Sequence, residues 1–276
     1  MKPSISPHQT IVVKVGGAAG VDFSAISIDV AGLIESGQRL VLVHGGSAEA
    51  NNLGLALDYP PRFITSPSGH SSRYTDLHTL EIFTMAVNGK INTSLVSQLQ
   101  GLGVNALGLC GLDGRLIQAE RKQAVISIEN GRRRVIRDDY TGKIHAINAA
   151  LLHILLESEF VPVIAPLALG QAGEALNVDA DRAAAAIAAA LKADRLILLT
   201  AVPGLMKSFP DENTLIQHLP LSQLENALGY AQGRMKKKVL GVQEALGGGV
   251  SQSIIADGRV EAPISNALSG NGTWIE

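Results

Sequence analysis

The chain has one cysteine, Cys110. No disulfide can form within it, which fits a reducing compartment. Ala106-Leu107-Gly108-Leu109-Cys110-Gly111 reads as a buried strand end, so Cys110 is expected to pack rather than react. No apolar run reaches the ~18 residues of a membrane span. The first ten residues hold two prolines and one lysine but no apolar segment, so they do not read as a signal peptide. A cytoplasmic location is the expectation. Charge of either sign is in small excess only: the net is −2. Nothing global draws such a chain to nucleic acid or to a membrane. The GxxxxGK[ST] phosphate loop is absent as well.

What is present is a folded chain of 276 residues, 46% hydrophobic and 17% charged. That length allows one large α/β domain or two lobes. Short apolar runs at 11–15, 40–43, 104–109, 161–165, 196–200 and 253–256 read as strands. Helical patterns fall between them, at 24–36, 48–57, 76–99, 149–157, 180–191 and 236–246. Continuous apolar strands alternating with helices predict a mostly parallel central sheet covered on both faces. The alanine-rich stretch 182–191 lies between Asp181 and Lys192 and reads as a buried helix. One segment breaks the rhythm. Residues 124–137 alternate around Glu129-Asn130-Gly131, a hairpin turn signal, and carry Arg132, Arg133, Arg134 and Arg137. A lobe boundary is expected near 166–173, dividing the chain into 1–170 and 171–276.

Four short motifs carry candidate chemistry. In Lys14-Val15-Gly16-Gly17 a strand runs into a glycine pair. Glycines let backbone N–H groups approach an anion, and the lysine adds a charge. A strand-end lysine can equally snorkel to the surface. His44-Gly45-Gly46-Ser47 repeats the pattern and opens a helix, whose N-terminus favours anions; the plainer reading is a tight turn with Ser47 as N-cap. Asn177, Asp179 and Asp181 alternate before the alanine-rich helix. Asp179 or Asp181 could cap that helix, or hold phosphate-binding lysines in place. Gly233-Arg234-Met235-Lys236-Lys237-Lys238 opens a late helix. At 3.6 residues per turn, one or two of its lysines can point into a site, and the rest form a solvated patch. Lysine suits the positive end of a helix poorly, so a phosphate partner would explain the placement.

In this order, the four motifs resemble those of the amino acid kinase family, over nearly the whole chain. The resemblance implies an acyl-substrate lobe followed by a lobe for ATP with Mg2+, the magnesium held mainly by the nucleotide phosphates, with no metal ligands from the chain. It assigns Lys14 and Lys238 to the transferring phosphoryl group and Asp181 to orienting them. Gly16, Gly17, Gly45 and Gly46 would hold phosphate and carboxylate oxygens through the backbone, with Ser47 beside them. Arg73 would grip the substrate carboxylate and Asn177 would touch the substrate. Thr200, Ala201, Val202, Gly204 and Met206 match the nucleotide loop, with Ala201 where an aspartate is common. A carboxylate acceptor is already ionised at neutral pH, so the chemistry asks for no essential histidine.

Arg73-Tyr74-Thr75-Asp76, Gly111-Leu112-Asp113-Gly114 and Asp139-Tyr140-Thr141-Gly142-Lys143 resemble the LysW-aminoadipate kinase branch, related to the acetylglutamate kinases. In that branch the substrate is α-aminoadipate or glutamate attached to an acidic carrier protein, LysW, in lysine or arginine biosynthesis. The arginine hairpin would then dock the carrier. Lacking aromatic stacking residues, it does not read as a nucleic-acid patch. Two other readings stay open: an acetylglutamate kinase acting on a free substrate, and a binding regulator without catalysis. A homodimer is expected from the resemblance alone.

Overall fold

The computed structural model describes residues 8–16, 22–67, 69, 71–129, 132–231 and 233–276. The first half runs β1 (Thr10–Val15), α1 (Phe23–Glu35), β2 (Arg39–His44), α2 (Ser47–Ala56), β3 (Phe63–Thr65), β4 (Ser71–Arg73), α3 (Leu77–Thr84) and α4 (Thr93–Gly101). Then come β5 (Ala106–Gly111), β6 (Ile117–Arg121), β7 (Val125–Glu129), β8 (Arg132–Ile136), β9 (Gly142–Ile147) and α5 (Ala149–Glu157). The second half holds β10 (Val161–Leu169), β11 (Ala175–Asn177), α6 (Ala180–Leu191), β12 (Arg195–Thr200) and β13 (His218–Leu219). It ends with α7 (Leu224–Ala227), α8 (Arg234–Gly247), β14 (Gln252–Asp257), α9 (Pro263–Leu268) and β15 (Thr273–Ile275).

The main sheet runs β13-β15-β14-β12-β1-β2-β10-β6-β9, with β5 and β11 also paired to β10. Its centre is parallel: β1 pairs with β12 on one side and β2 on the other. Antiparallel pairs sit toward the edges, at β6·β9 and β14·β15, and at β10·β11. The sheet is continuous through the expected lobe boundary. Residues 166–169 are strand, the end of β10, and the chain turns back there as β11.

Each central strand is apolar on both faces because helices cover both. On β1, Ile11, Val13 and Val15 pack with α1, α4 and α9, while Val12 points to the opposite core beneath α6. Lys14 follows the same alternation and shares Val12's face. The alanines of α6 let neighbours approach closely. Ala183, Ala184, Ala185 and Ala188 are all buried, and a Cβ placed on Gly241 of α8 would already touch the Asp181 carbonyl and the Ala185 methyl.

Helix 76–99 is interrupted: between α3 and α4, Met85–Asn92 form wider π-helical turns. The hairpin is present as β7·β8, with Ile126 opposite Val135 and Ile128 opposite Arg133; its turn residues, 130 and 131, lie outside the described residues. Val125 and Ile136 anchor it on Ile64 and Tyr74. No helix among the described residues is long and apolar enough to cross a membrane. Cys110 is buried.

Candidate active site

Three motif residues that are distant in sequence meet in one buried cluster. The Lys14 ammonium lies 2.9 Å from Asp181 Oδ1. Lys238 donates to both oxygens of the same carboxylate, at 2.9 Å each. All three are less than one-tenth exposed. Asp181 is free for this role because Asp179 caps α6, accepting from the N–H groups of Asp181 (3.0 Å) and Arg182 (3.2 Å). Of the three late lysines, Lys238 alone enters the cluster; Lys236 and Lys237 stay half-buried.

The charges do not cancel. Two cations share one anion, so a surplus positive charge is held out of water. Burial pushes the Asp181 carboxyl up, but Lys14 and Lys238 outweigh it and hold it well below the usual carboxylate range. Burial pushes Lys238 below its ordinary value, and repulsion from Lys14 adds to this, while Asp181 opposes it. The two ammonium groups account for the downward shift of Asp181, whereas burial is the main cause of that of Lys238. Such a cluster is built to receive an anion.

The two strand-end turns lie side by side. The Gly45 N–H donates to the Val15 carbonyl at 2.9 Å, and Gly16 is buried next to it. Gly17 lies outside the described residues. Gly46, rather than Ser47, is the N-cap of α2, and no side chain caps it. A Cβ at Gly46 would fall 2.6 Å from Val87 Cγ1, so only glycine fits this turn. Ser47 is the first helical residue, and its carbonyl accepts from Arg73 Nη2 at 3.1 Å; Asn51 Oδ1 accepts from the same nitrogen at 2.5 Å. Burial lowers the Arg73 pKa from its ordinary value.

Asn177 is tied to the arginine's loop. Its Nδ2 donates to Thr75 Oγ1 (3.1 Å), and its N–H donates to the Tyr140 carbonyl (2.9 Å). Two adjacent carboxylates fasten that loop to the foot of the arginine hairpin. Asp138 accepts from the Tyr74 hydroxyl at 2.6 Å. Asp139, buried, accepts from the N–H groups of Thr75 and Thr141 and from the Thr141 hydroxyl. Arg121 stacks 3.7 Å from the Tyr140 ring centre and donates to the Asp139 carbonyl. A continuous run of contacts therefore leads from Val15 through Gly45, Ser47, Arg73 and Thr75 to Asn177, four residues before Asp181.

The expected nucleotide loop follows β12. Thr200, Ala201 and Val202 are half-buried there, whereas Gly204 and Met206 are buried. Gly204 packs on Thr273, and Met206 bridges to Leu215. Among the described residues, no hydrogen bond or ion pair joins this loop to the lysine cluster. Arg132, Arg133, Arg134 and Arg137 are exposed on the hairpin and just beyond it.

The amino acid kinase family model matches residues 9–257. The chain belongs to the amino acid kinase family. A [LysW]-aminoadipate kinase of Deinococcus radiodurans is 51% identical over 265 residues, covering 96% of this chain and 91% of the relative. One of Thermus thermophilus is 50% identical over 267 residues, covering 96% and 99%. Among solved structures, an N-acetylglutamate synthase of Neisseria gonorrhoeae has a TM-score of 0.79 at 24% identity. That match covers 98% of this chain but 59% of the synthase, and it speaks for the amino acid kinase fold alone.

Asn92, which no sequence motif singled out, meets His44 beside the second glycine pair. Asn92 Nδ2 donates to His44 Nε2 (3.1 Å) and to the Val163 carbonyl (2.9 Å). His44 Nδ1 lies 3.0 Å from the Gly45 carbonyl. Burial lowers the pKa of His44 to about 4, against a smaller raising effect of the Gly45 bond, and Lys14 lowers it further. The ring is neutral at working pH. A kcat/KM profile is therefore expected to show no inflection from His44 between about pH 5 and pH 8. A limb in that range that vanished on replacing His44 would contradict this.

Proposed function

We propose that this kinase transfers the γ-phosphoryl group of ATP to the side-chain carboxylate of α-aminoadipate, or of glutamate, carried on LysW. The product is an acyl phosphate of lysine or arginine biosynthesis. The observation that carries the reading is the Lys14–Asp181–Lys238 cluster, with its surplus buried charge. Phosphoryl transfer needs positioning and charge stabilisation rather than covalent help. The acceptor carboxylate attacks the γ-phosphorus, and the bond to the β,γ-bridging oxygen breaks as ADP leaves. Lys14 and Lys238 neutralise charge on the transferring group and the leaving oxygen. Asp181 holds both ammonium groups in place. Arg73 and Asn177 position the acyl substrate, and the backbone N–H groups of Gly16, Gly17 and Gly46 bind its oxygens and those of the phosphate; Gly45, assigned the same role from the sequence, has its N–H bonded to the Val15 carbonyl and instead shapes the turn. We assign Thr200, Ala201, Val202, Gly204 and Met206 to the nucleotide's surroundings.

Among the described residues, no group of three or more His, Cys, Asp or Glu could hold a metal ion. We assign magnesium to the nucleotide's own phosphates, whose charge it would neutralise when bound. The cationic cluster suits a ligand that brings its own divalent ion.

The carrier reading draws on the hairpin and on the two LysW-dependent relatives. Ile126 and Val135, opposite each other across β7·β8, are 42% and 53% exposed. The two-residue period puts Arg133 on the face of Val135, with Arg137 just past the strand end. An apolar centre flanked by cations suits an acidic protein partner. The deciding experiment is an ATP-dependent hydroxamate assay, with N-acetylglutamate and with LysW loaded with aminoadipate or glutamate. Turnover with loaded carrier is expected; turnover with N-acetylglutamate alone would overturn the carrier reading. Replacing Arg132, Arg133, Arg134 and Arg137 by glutamine is expected to raise the KM for loaded LysW roughly tenfold or more, with kcat at saturation little changed. Added salt should raise the wild-type KM in the same direction. An unchanged KM would remove the hairpin from docking.

A further inference from the structure

We infer that His44 and Asn92 form a positioning pair that sets the Gly45–Gly46 peptide for anion binding, with Asn92 fixing the imidazole's tautomer. The inference rests on the phosphotransfer reading of the site but not on which acyl substrate it takes.

The Asn92 amide is oriented by what surrounds it. The Val163 carbonyl accepts from Asn92 Nδ2, so the NH2 end faces that side. The same NH2 group meets His44 Nε2, which must therefore accept. In a neutral ring the proton then sits on Nδ1, and Nδ1 donates to the Gly45 carbonyl. A trans peptide holds its C=O and N–H in opposite directions. Fixing the Gly45 carbonyl toward the ring thus aims the Gly46 N–H away from it. Among the described residues, that N–H has no acceptor.

Several features accommodate this arrangement. Gly108 of β5 leaves the space into which Asn92 Oδ1 projects; a Cβ there would collide with it. Asn92 closes the π-helical turns, whose wider winding changes the direction of side chains beyond them. His44 is fully buried, so water cannot compete for either bond. Burial also keeps the ring neutral, and a neutral ring is what the tautomer argument requires.

The test uses two amides that replace different ring atoms. An asparagine side chain places its nitrogen where Nδ1 stands; a glutamine places its amide where Nε2 stands. His44→Asn therefore keeps a donor for the Gly45 carbonyl, and His44→Gln loses it. H44N is expected to retain most of kcat, and H44Q to lose roughly 100-fold in kcat with the KM for ATP little moved. A residue that merely fills space would give the opposite order, since glutamine fills more of the ring's volume. Equal losses in the two variants, or a better kcat for H44Q, would overturn the inference.

If H44Q does not fold, Asn92→Asp decides. An aspartate accepts where the amide donated, so His44 Nε2 must carry a proton. At high pH the neutral ring then has a bare Nδ1 against the Gly45 carbonyl, and activity is lost. As pH falls, the imidazolium forms and donates from both nitrogens, restoring the Gly45 bond. Lys14 is the charged neighbour acting on the ring and opposes this protonation, whereas the new carboxylate favours it. N92D is thus expected to gain a limb on which kcat rises toward acid. A profile parallel to wild type would overturn the inference. Inactivity of wild type in every phosphotransfer assay would fail the activity reading itself, a separate outcome.

Discussion

Replacing Lys238 by methionine is expected to lower kcat by roughly 10²- to 10³-fold while leaving the fold as stable as before, or more so. The two halves of this result come from the same surplus. Lys238 and Lys14 share one carboxylate, so removing one cation leaves a neutral buried pair of Lys14 and Asp181. Methionine keeps most of the apolar stem, and the desolvation cost of an ammonium disappears. What is lost is the charge that meets the phosphoryl group in the transition state. The comparison pairs turnover in the hydroxamate assay with a urea unfolding midpoint. Near-normal turnover would remove Lys238 from catalysis. A loss of about 3 kcal/mol or more in stability would make it a structural ion-pair partner instead.

Asp181→Asn is expected to damage both activity and stability. It leaves two buried ammonium groups facing each other without a counter-ion, at a cost of about 3–5 kcal/mol. The pH dependence distinguishes this from simple loss of packing. The Asp181 carboxyl is held below its unfolded value, so its contribution is complete above an unfolded pKa of about 3.9 and is lost as pH falls through the lower folded one. The gap between wild type and D181N should therefore be wide near neutrality and close in strong acid. Lys238 works in the other sense: its folded pKa is depressed, so the penalty for burying it charged is largest at low pH and is relieved as pH rises through that folded value. D181N should accordingly regain stability on the alkaline side, as Lys238 gives up its proton. Denaturant unfolding of both proteins across pH would show this. A gap that stays constant with pH would rule out the electrostatic account.

The Lys14–Asp181–Lys238 ion-pair cluster was legible in the sequence because each member sits next to a local signal. Lys14 precedes a glycine pair at a strand end, Asp181 opens an alanine-rich helix, and Lys238 stands where a helix dipole disfavours it. The choice between Asp179 and Asp181 was not legible. It depended on which carboxylate the first turn of α6 would use as its cap. The central parallel strands were visible as apolar runs, whereas β6, β9 and β11 were not. They are short and lie away from the centre, and neighbours rather than composition make them strands. Asn92 gave no usable signal. It lies 48 residues from His44, and the two meet only because π-helical turns reset the phase of a segment that reads as one helix. A buried asparagine late in an otherwise amphipathic helix was the one available hint.

Lys14 also has a bearing on how the chain finds its structure. It occupies an interior strand whose residues point alternately to two apolar cores, and only one of those cores contains Asp181. A slip of β1 by one residue would turn the ammonium into the layer formed by Ile26, Leu33 and Leu95, whose buried carboxylate, Asp29, is already taken up by the Ile264 and Ser265 N–H groups and the Ser265 hydroxyl. Purely aliphatic strands tolerate such an error because valine fits either side. Here the buried lysine makes the misaligned arrangement untenable, so the Lys14–Asp181 ion pair acts as a check on the assembly of the sheet that carries it.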